Sequence, residues 1–292
     1  MFTNIHSPLQ QLSHPVLRQL WIKRDDLIDP YISGNKWRKL KYILKEAKTS
    51  GKSHLVTFGG AYSNHLVATA AAAARANLKS TAFVRGEAVT NEMLLLCKLY
   101  GMNLIFVDRT SYKEKNHLYN QHFAEDPESM FIDEGGAGQL ALEGCAEIID
   151  ELPQDIDHLF CAAGTGTTAA GLLKGLTNNH SKCILHVVPV LKAPNYIGEQ
   201  IANFTSGSTA RLQIHEQYHF GGYAKVNDEL ITFIQSFIRS TGILIDPVYT
   251  AKLFYAIDDL SKQGLMKANS KIVALHTGGL LGMFGMKDKL AL

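Results

Sequence analysis

Cysteine is scarce in this chain, four residues in 292, and no two of them form a CxxC pair. A disulfide framework is therefore excluded, and Cys97, Cys145, Cys161 and Cys183 are expected to be reduced thiols in a cytoplasmic protein. An excess of one charge is equally absent. Lys and Arg number 29 against 27 Asp and Glu, a net +2, with no long basic run, which excludes a nucleic-acid partner. No apolar run is long enough to cross a bilayer. The longest small-apolar stretch, residues 67–76, is alanine-rich, carries Arg75, and reads as a buried helix rather than a membrane partner. Residues 1–21 lack the charged segment and apolar run of an export signal. Internal repeats and low-complexity linkers are missing too. What remains is a composition of 46% hydrophobic and 19% charged residues, enough for one large domain or two ordinary ones.

Short β-branched runs alternate with helical patterns along the chain. Strands are expected at residues 55–58, 81–84, 104–107, 130–132, 158–161, 184–190 and 271–276. Helices are expected at 65–77, 92–100, 138–152 and 168–176, with a further one from about Thr250. This alternation predicts an α/β fold of parallel sheet covered by helices on both faces. Four of the strands run into glycine: Gly59–Gly60, Gly135–Gly136, Gly164 with Gly166, and Gly278–Gly279. Ligands of open α/β sheets bind beyond the carboxyl ends of strands, and glycine lets backbone approach them there. A site assembled from several loops is the expectation.

In SGNKWRKLKYILKEA, residues 33–47, the apolar spacing of Leu40, Ile43, Leu44 and Ala47 is helical, and Lys36 stands at its start. A helix N-terminus and nearby cations lower an amine pKa toward a usable nucleophile, whereas Lys41, Lys45 and Lys48 fall on a solvated face. In TFGGAYSNHLVATAAAAA, Ser63 or Asn64 either caps a helix or, with free backbone N–H groups, binds a carboxylate. In HLFCAAGTGTTAAGLLKGL, a strand meets a Gly/Thr turn and a helix, the arrangement that holds phosphate on backbone N–H groups. Gly164, Gly166 and Ala169 also satisfy a dinucleotide fingerprint. The next strand, however, ends in Lys192 and Ala193 rather than the acidic residue a ribose needs. Thr165, Thr167 and Thr168 favour a terminal phosphate monoester over a nicotinamide cofactor.

The sequence His215-Glu216-Gln217-Tyr218-His219 matches HExxH, a zinc motif that functions only on a helix. Leu212 and Ile214 alternate before it and Gly221-Gly222 follow, so it reads as strand into loop and no metal is assigned. Tyr249 stands at the start of the helix after Asp246-Pro247, either as a packed ring or as a proton donor. Thr277, in the last glycine turn, is placed to hydrogen-bond a heterocycle.

Taken in order, these segments resemble the 1-aminocyclopropane-1-carboxylate (ACC) deaminase and D-cysteine desulfhydrase family of pyridoxal-phosphate enzymes. KRDDL at 23–27 with GNKWRKLKYIL resembles the opening of that family, whose pattern is KRDDL and GGNKxRKLE. FGGAYSNH, GTGTTAAGL, GGY at 221–223, DPVYTAK and LHTGG resemble its later motifs, so that the likeness runs from about residue 20 to 285. Three positions depart from it: Ser33 replaces a glycine, Ala251 replaces another, and no arginine follows SNH.

The resemblance implies a tryptophan-synthase β-like fold of two open parallel-sheet domains, residues 1–40 with 150–292 and residues 41–149, around pyridoxal 5'-phosphate. It implies that Lys36 carries the cofactor and acts as base at Cα, and that Ser63, Asn64 and His65 hold the substrate carboxylate. Asn64 would also reach the pyridine hydroxyl, and Gly164, Thr165, Gly166, Thr167 and Thr168 would bind the phosphate. Tyr223 and Tyr249 would flank the substrate, with Thr277 at the pyridine nitrogen. ACC deaminases resemble one another in DPVYEGK and HLGG, whereas Thr250 and Thr277 stand at those places here. A carboxylate near the ring nitrogen strengthens the electron sink that cyclopropane opening demands. The two threonines therefore point to elimination from a small D-amino acid, with D-cysteine yielding pyruvate, hydrogen sulfide and ammonia. ACC deamination, a nicotinamide enzyme and a non-catalytic cofactor carrier are the alternatives. A homodimer is expected.

Overall fold

Two sheets organise the chain, and both turn the carboxyl ends of their strands toward one cavity. The computed structural model describes residues 5–205 and 211–290. Strands β1 (Leu9–Leu12) and β2 (Gln19–Lys23) come first, then helix α1 (Asn35–Thr49). The middle of the chain gives β3 (His54–Gly60), α2 (Asn64–Arg75), β4 (Lys79–Arg85), α3 (Glu92–Leu99), β5 (Asn103–Val107), α4 (Lys115–Phe123) and β6 (Ser129–Ile132). After α5 (Gln139–Ala146) follow β7 (His158–Ala163), α6 (Thr167–Asn178), β8 (Ile184–Pro189), α7 (Tyr196–Thr205), β9 (Leu212–Ile214), α8 (Asp228–Thr241), α9 (Thr250–Lys262) and β10 (Lys271–Leu275).

The smaller sheet has the order β5-β4-β3-β6, parallel throughout. The larger has the order β1-β2-β10-β7-β8-β9. It is parallel except at β1, which pairs antiparallel with β2 at the edge of the sheet. Strand side chains alternate between faces, and the two cores follow that period. Phe160, Ala162, Ile272 and Ala274 pack toward α8 and α9. Leu159, Cys161, Val273 and Leu275 pack toward α6 and α7. In the smaller sheet Leu55, Ala82 and Val84 face α1, α2 and α3, while Val56, Phe58 and Phe83 face Tyr112 and α4. The four cysteines are buried and free.

Both sheets reverse their winding at the cavity. Strand β3 lies between β4 and β6, and β7 lies between β8 and β10. Such switch points open a crevice outside the strand ends, where ligands of α/β folds bind. Helix α5 is shorter than expected, ending at Ala146 before a single tight turn at Ile149–Glu151. It joins α1 to α6 with almost no side chain between them. A Cβ on Gly144 would sit 2.0 Å from the Arg38 carbonyl oxygen. One on Gly171 would meet the Cys145 Cβ at 2.5 Å, and one on Gly175 the Ala146 carbonyl at 2.6 Å. No described helix is long and apolar enough to cross a membrane.

Candidate active site

Lys36 is the second residue of α1, already helical rather than in the turn before it. Gly34, at φ +57°, makes the turn possible: a Cβ there would lie 1.8 Å from the Thr277 carbonyl oxygen. That contact lets Asn35 N–H donate to the same oxygen (3.2 Å), pinning the helix start to the end of β10. Ser33 stands where the family pattern has a glycine. Its hydroxyl accepts from Gly279 N–H at 3.4 Å.

Lys36 lines a cavity of about 540 Å³ and donates to the Gly135 carbonyl at 3.4 Å. Lys39, one helical turn on and almost fully buried, donates to the same carbonyl at 3.1 Å. Burial first, and the Lys39 charge second, hold the Lys36 amine well below its ordinary pKa. A neutral amine is what nucleophilic and base chemistry require. Lys39 was not anticipated from sequence; its i+3 spacing from Lys36 puts both on one helix face.

Ser63 takes the cap position of α2, but its side chain makes no capping hydrogen bond and faces the cavity with Asn64. Asn64 lies against the turn after β10, where a Cβ on Gly279 would approach its Nδ2 to 2.9 Å. The first-turn N–H groups of α2 point where a carboxylate gains both hydrogen bonds and helix dipole. His65 lines the cavity too, but both its ring nitrogens are taken by threonines. Its ring is buried, with Nε2 against the Thr57 hydroxyl (2.7 Å) and Nδ1 against that of Thr69 (3.5 Å). Burial above all holds its pKa well below the ordinary value, and the ring braces the loop through the two threonines.

Gly164, Thr165, Gly166 and Thr168 line the cavity where β7 meets α6. Gly166 caps the helix in the left-handed region at φ +78°, which turns the first amides of α6 toward the cavity. Thr168 accepts from Asn35 Nδ2 at 3.1 Å, linking this cup to α1. Thr167 stands behind it, buried, its hydroxyl 3.1 Å from that of Thr165.

Tyr223 and Tyr249 meet edge to face with ring centroids 6.2 Å apart, both on the cavity wall. Burial pushes both phenol pKa values up, further for Tyr249, so each keeps its proton. Thr277 lines the wall as well. Thr250 does not, which corrects the expectation for it. It is fully buried and its hydroxyl donates to the Asp246 carboxylate at 2.8 Å, inside the turn that starts α9. Arg85 and Glu134, not anticipated from sequence, also reach the cavity from the ends of β4 and β6.

The HExxH segment is a short tight turn, Glu216–His219, following β9. His215 Nε2 meets His186 Nδ1 at 2.9 Å, while His219 Nδ1 accepts from Gly221 N–H. The two imidazoles serve different partners. Among the described residues no group of three or more acidic, histidine or cysteine side chains could hold a metal.

The sequence pattern of the pyridoxal-phosphate dependent enzymes matches residues 4–278, and the chain belongs to that family. A *Pyrococcus abyssi* protein provisionally named 1-aminocyclopropane-1-carboxylate deaminase is 32% identical, over 97% of this chain and 91% of its own. The bifunctional D-cysteine desulfhydrase/1-aminocyclopropane-1-carboxylate deaminase of *Arabidopsis thaliana* is 30% identical over 99% of this chain and 80% of its own. A crystal structure of an ACC deaminase homologue superposes with a TM-score of 0.90 at 29% identity, covering 99% and 94% of the two chains. Within the family the chain falls with the ACC deaminases and D-cysteine desulfhydrases. It is a lyase using pyridoxal phosphate, and its fold is the tryptophan-synthase β type. The residues present suit that cofactor: a buried lysine with a lowered pKa, a glycine and threonine turn at a helix start for a phosphate, and the Thr277 hydroxyl.

Proposed function

We propose that the enzyme eliminates the β-substituent of a small D-amino acid, with D-cysteine giving pyruvate, hydrogen sulfide and ammonia with uptake of one water. The observation that carries this reading is Lys36, a buried amine whose pKa is held well below its ordinary value, in a cavity that also presents Ser63, two phenols and, among the described residues, no carboxylate except Glu134. Glu134 is already paired with Lys115 at 3.2 Å.

Lys36 and the cup Gly164, Thr165, Gly166, Thr167 and Thr168 would hold pyridoxal phosphate, with Asn64 and Thr277 beside its ring. When bound, the cofactor withdraws electrons from the substrate and acidifies its Cα hydrogen. Ser63 and the first amides of α2 orient the carboxylate, and Lys36 removes the Cα proton. Tyr249 or Tyr223 delivers a proton to the departing sulfur, which leaves as hydrogen sulfide. The relatives' names include both D-cysteine and ACC as substrates. Thr277 favours the former here, because it offers a hydroxyl to the ring where the ACC deaminases resemble one another in a leucine. Thr250, closed on Asp246, has no part in that contrast.

Initial rates on D-cysteine, L-cysteine, D-serine, β-chloro-D-alanine and ACC test the reading. D-cysteine should be turned over fastest, and faster turnover of ACC would overturn it. The same reading divides the chain into residues 1–40 with 150–292 and residues 41–149, supported by the separate sheets. It also makes the protein a cytoplasmic homodimer, which sedimentation as a single chain would contradict.

A further inference from the structure

The loop that carries Tyr223 is stretched far from ordinary backbone. Phe220 (φ 51°), Gly221 (90°), Gly222 (120°) and Ala224 (53°) all lie at positive φ, and two of them bear side chains. For Phe220 and Ala224 this is a strained conformation that persists only where the surroundings impose it. The internal bonds of the loop are few: Gly221 N–H to the His219 ring, Gly222 N–H to the His219 carbonyl, and Lys225 N–H to the Gly222 carbonyl.

Lys252 supplies what is missing. It is the third residue of α9 and fully buried, with its Nζ donating to the His219 and Gly222 carbonyls, each at 2.8 Å. Both the burial of an ammonium group and its place at a helix N-terminus are unfavourable. Asp246 is the charge that opposes this cost. Tyr249, three residues before Lys252, caps the same helix and meets the Tyr223 ring. One helix end therefore carries one phenol directly and grips the loop that bears the other.

We propose that Lys252 is a positioning residue, clamping residues 219–225 so that Tyr223 stands against Tyr249 on the cavity wall. The proposal rests on the reading of the two tyrosines as substrate-flanking groups. The lysine acts through the loop and touches neither substrate nor cofactor.

A double-mutant cycle on the cofactor-loaded enzyme tests it. Lys252→Met keeps an unbranched side chain, one atom shorter, and removes charge and donors, and Tyr223→Phe removes the hydroxyl. Each single variant should lower kcat by roughly ten- to a hundredfold, the scale of a misplaced proton donor. The double variant should be no slower than the slower single one. Additive losses, or unaltered kcat in Lys252→Met, would overturn the proposal. Hydrogen exchange gives a second readout that needs no substrate. Amides of residues 219–225 should exchange faster in Lys252→Met while those of 253–262 do not, and unchanged loop protection would overturn the clamp even if no amino acid tried is turned over. If Lys252→Met does not fold, Lys252→Gln, which retains one donor pair, carries the same comparison.

Discussion

Lys36 and Lys39 share a helical turn with Arg38, yet the two lysines and the arginine sit in opposite electrostatic settings. The Arg38 guanidinium is almost fully buried against Asp25, at 2.8 and 3.1 Å, and also bonds Glu151, which in turn pairs with Lys23 at 2.6 Å. Burial works against its charge, but Glu151 and Asp25 raise its pKa above the ordinary value. The lysines find one shared carbonyl and no carboxylate. A buried cation with anions on both sides fixes one arrangement of chain, whereas a buried ammonium without them has its pKa lowered. One face of α1 is thus structural and the other chemical.

Removing each charge should separate the two. Lys36→Ala is expected to lower kcat/KM on the order of a thousandfold or more, as loss of a covalent nucleophile does, while melting stays as in the parent protein. Borohydride should no longer fix the cofactor to the chain. A large drop in melting temperature would break the contrast. Arg38→Met should do the reverse. It strands Asp25 as a buried charge, and urea unfolding should show a loss of roughly 3–5 kcal/mol with kcat retained in the folded fraction.

The smallest effect sharpens the comparison within the chemical face. After burial, Lys39 is the cause that lowers the Lys36 pKa, so Lys39→Met should let that pKa rise. In cofactor-free protein, the pH midpoint for reductive alkylation of Lys36 by pyridoxal should move to higher pH, since less of the amine is neutral at any given pH. An unmoved midpoint would make Lys39 merely a partner of Gly135.

Much of this was legible in the sequence, and the failures share a cause. The buried strands showed themselves as apolar β-branched runs ending in glycine, and the loops at their ends converge on one cavity. Strands β1 and β2 did not, because β1 is an edge strand in which only Leu12 is fully buried. Ser63 and Asn64 present their polar atoms to the cavity while the His65 ring, also on its wall, spends them on Thr57 and Thr69, and Tyr249 faces the cavity while Thr250 turns back to Asp246. In each case one residue of helix rotates the side chain by about 100°. A motif names the helix start but not which of its neighbours looks outward. Lys39 escaped for the same reason, since nothing in KWRKLK says which side meets a cavity.

Gly144, Gly171 and Gly175 leave α1, α5 and α6 touching backbone to backbone. Lys36 stands at the first turn of α1 and the Thr167 turn at the start of α6, so on the proposed assignment both ends of a bound cofactor would belong to one welded block. The span between amine and cup is set by main chain, which substitutions elsewhere cannot retune. The three helices act as a gauge block, machined to one length, and drift in the surrounding sequence is free to alter what enters the cavity but not the distance across it.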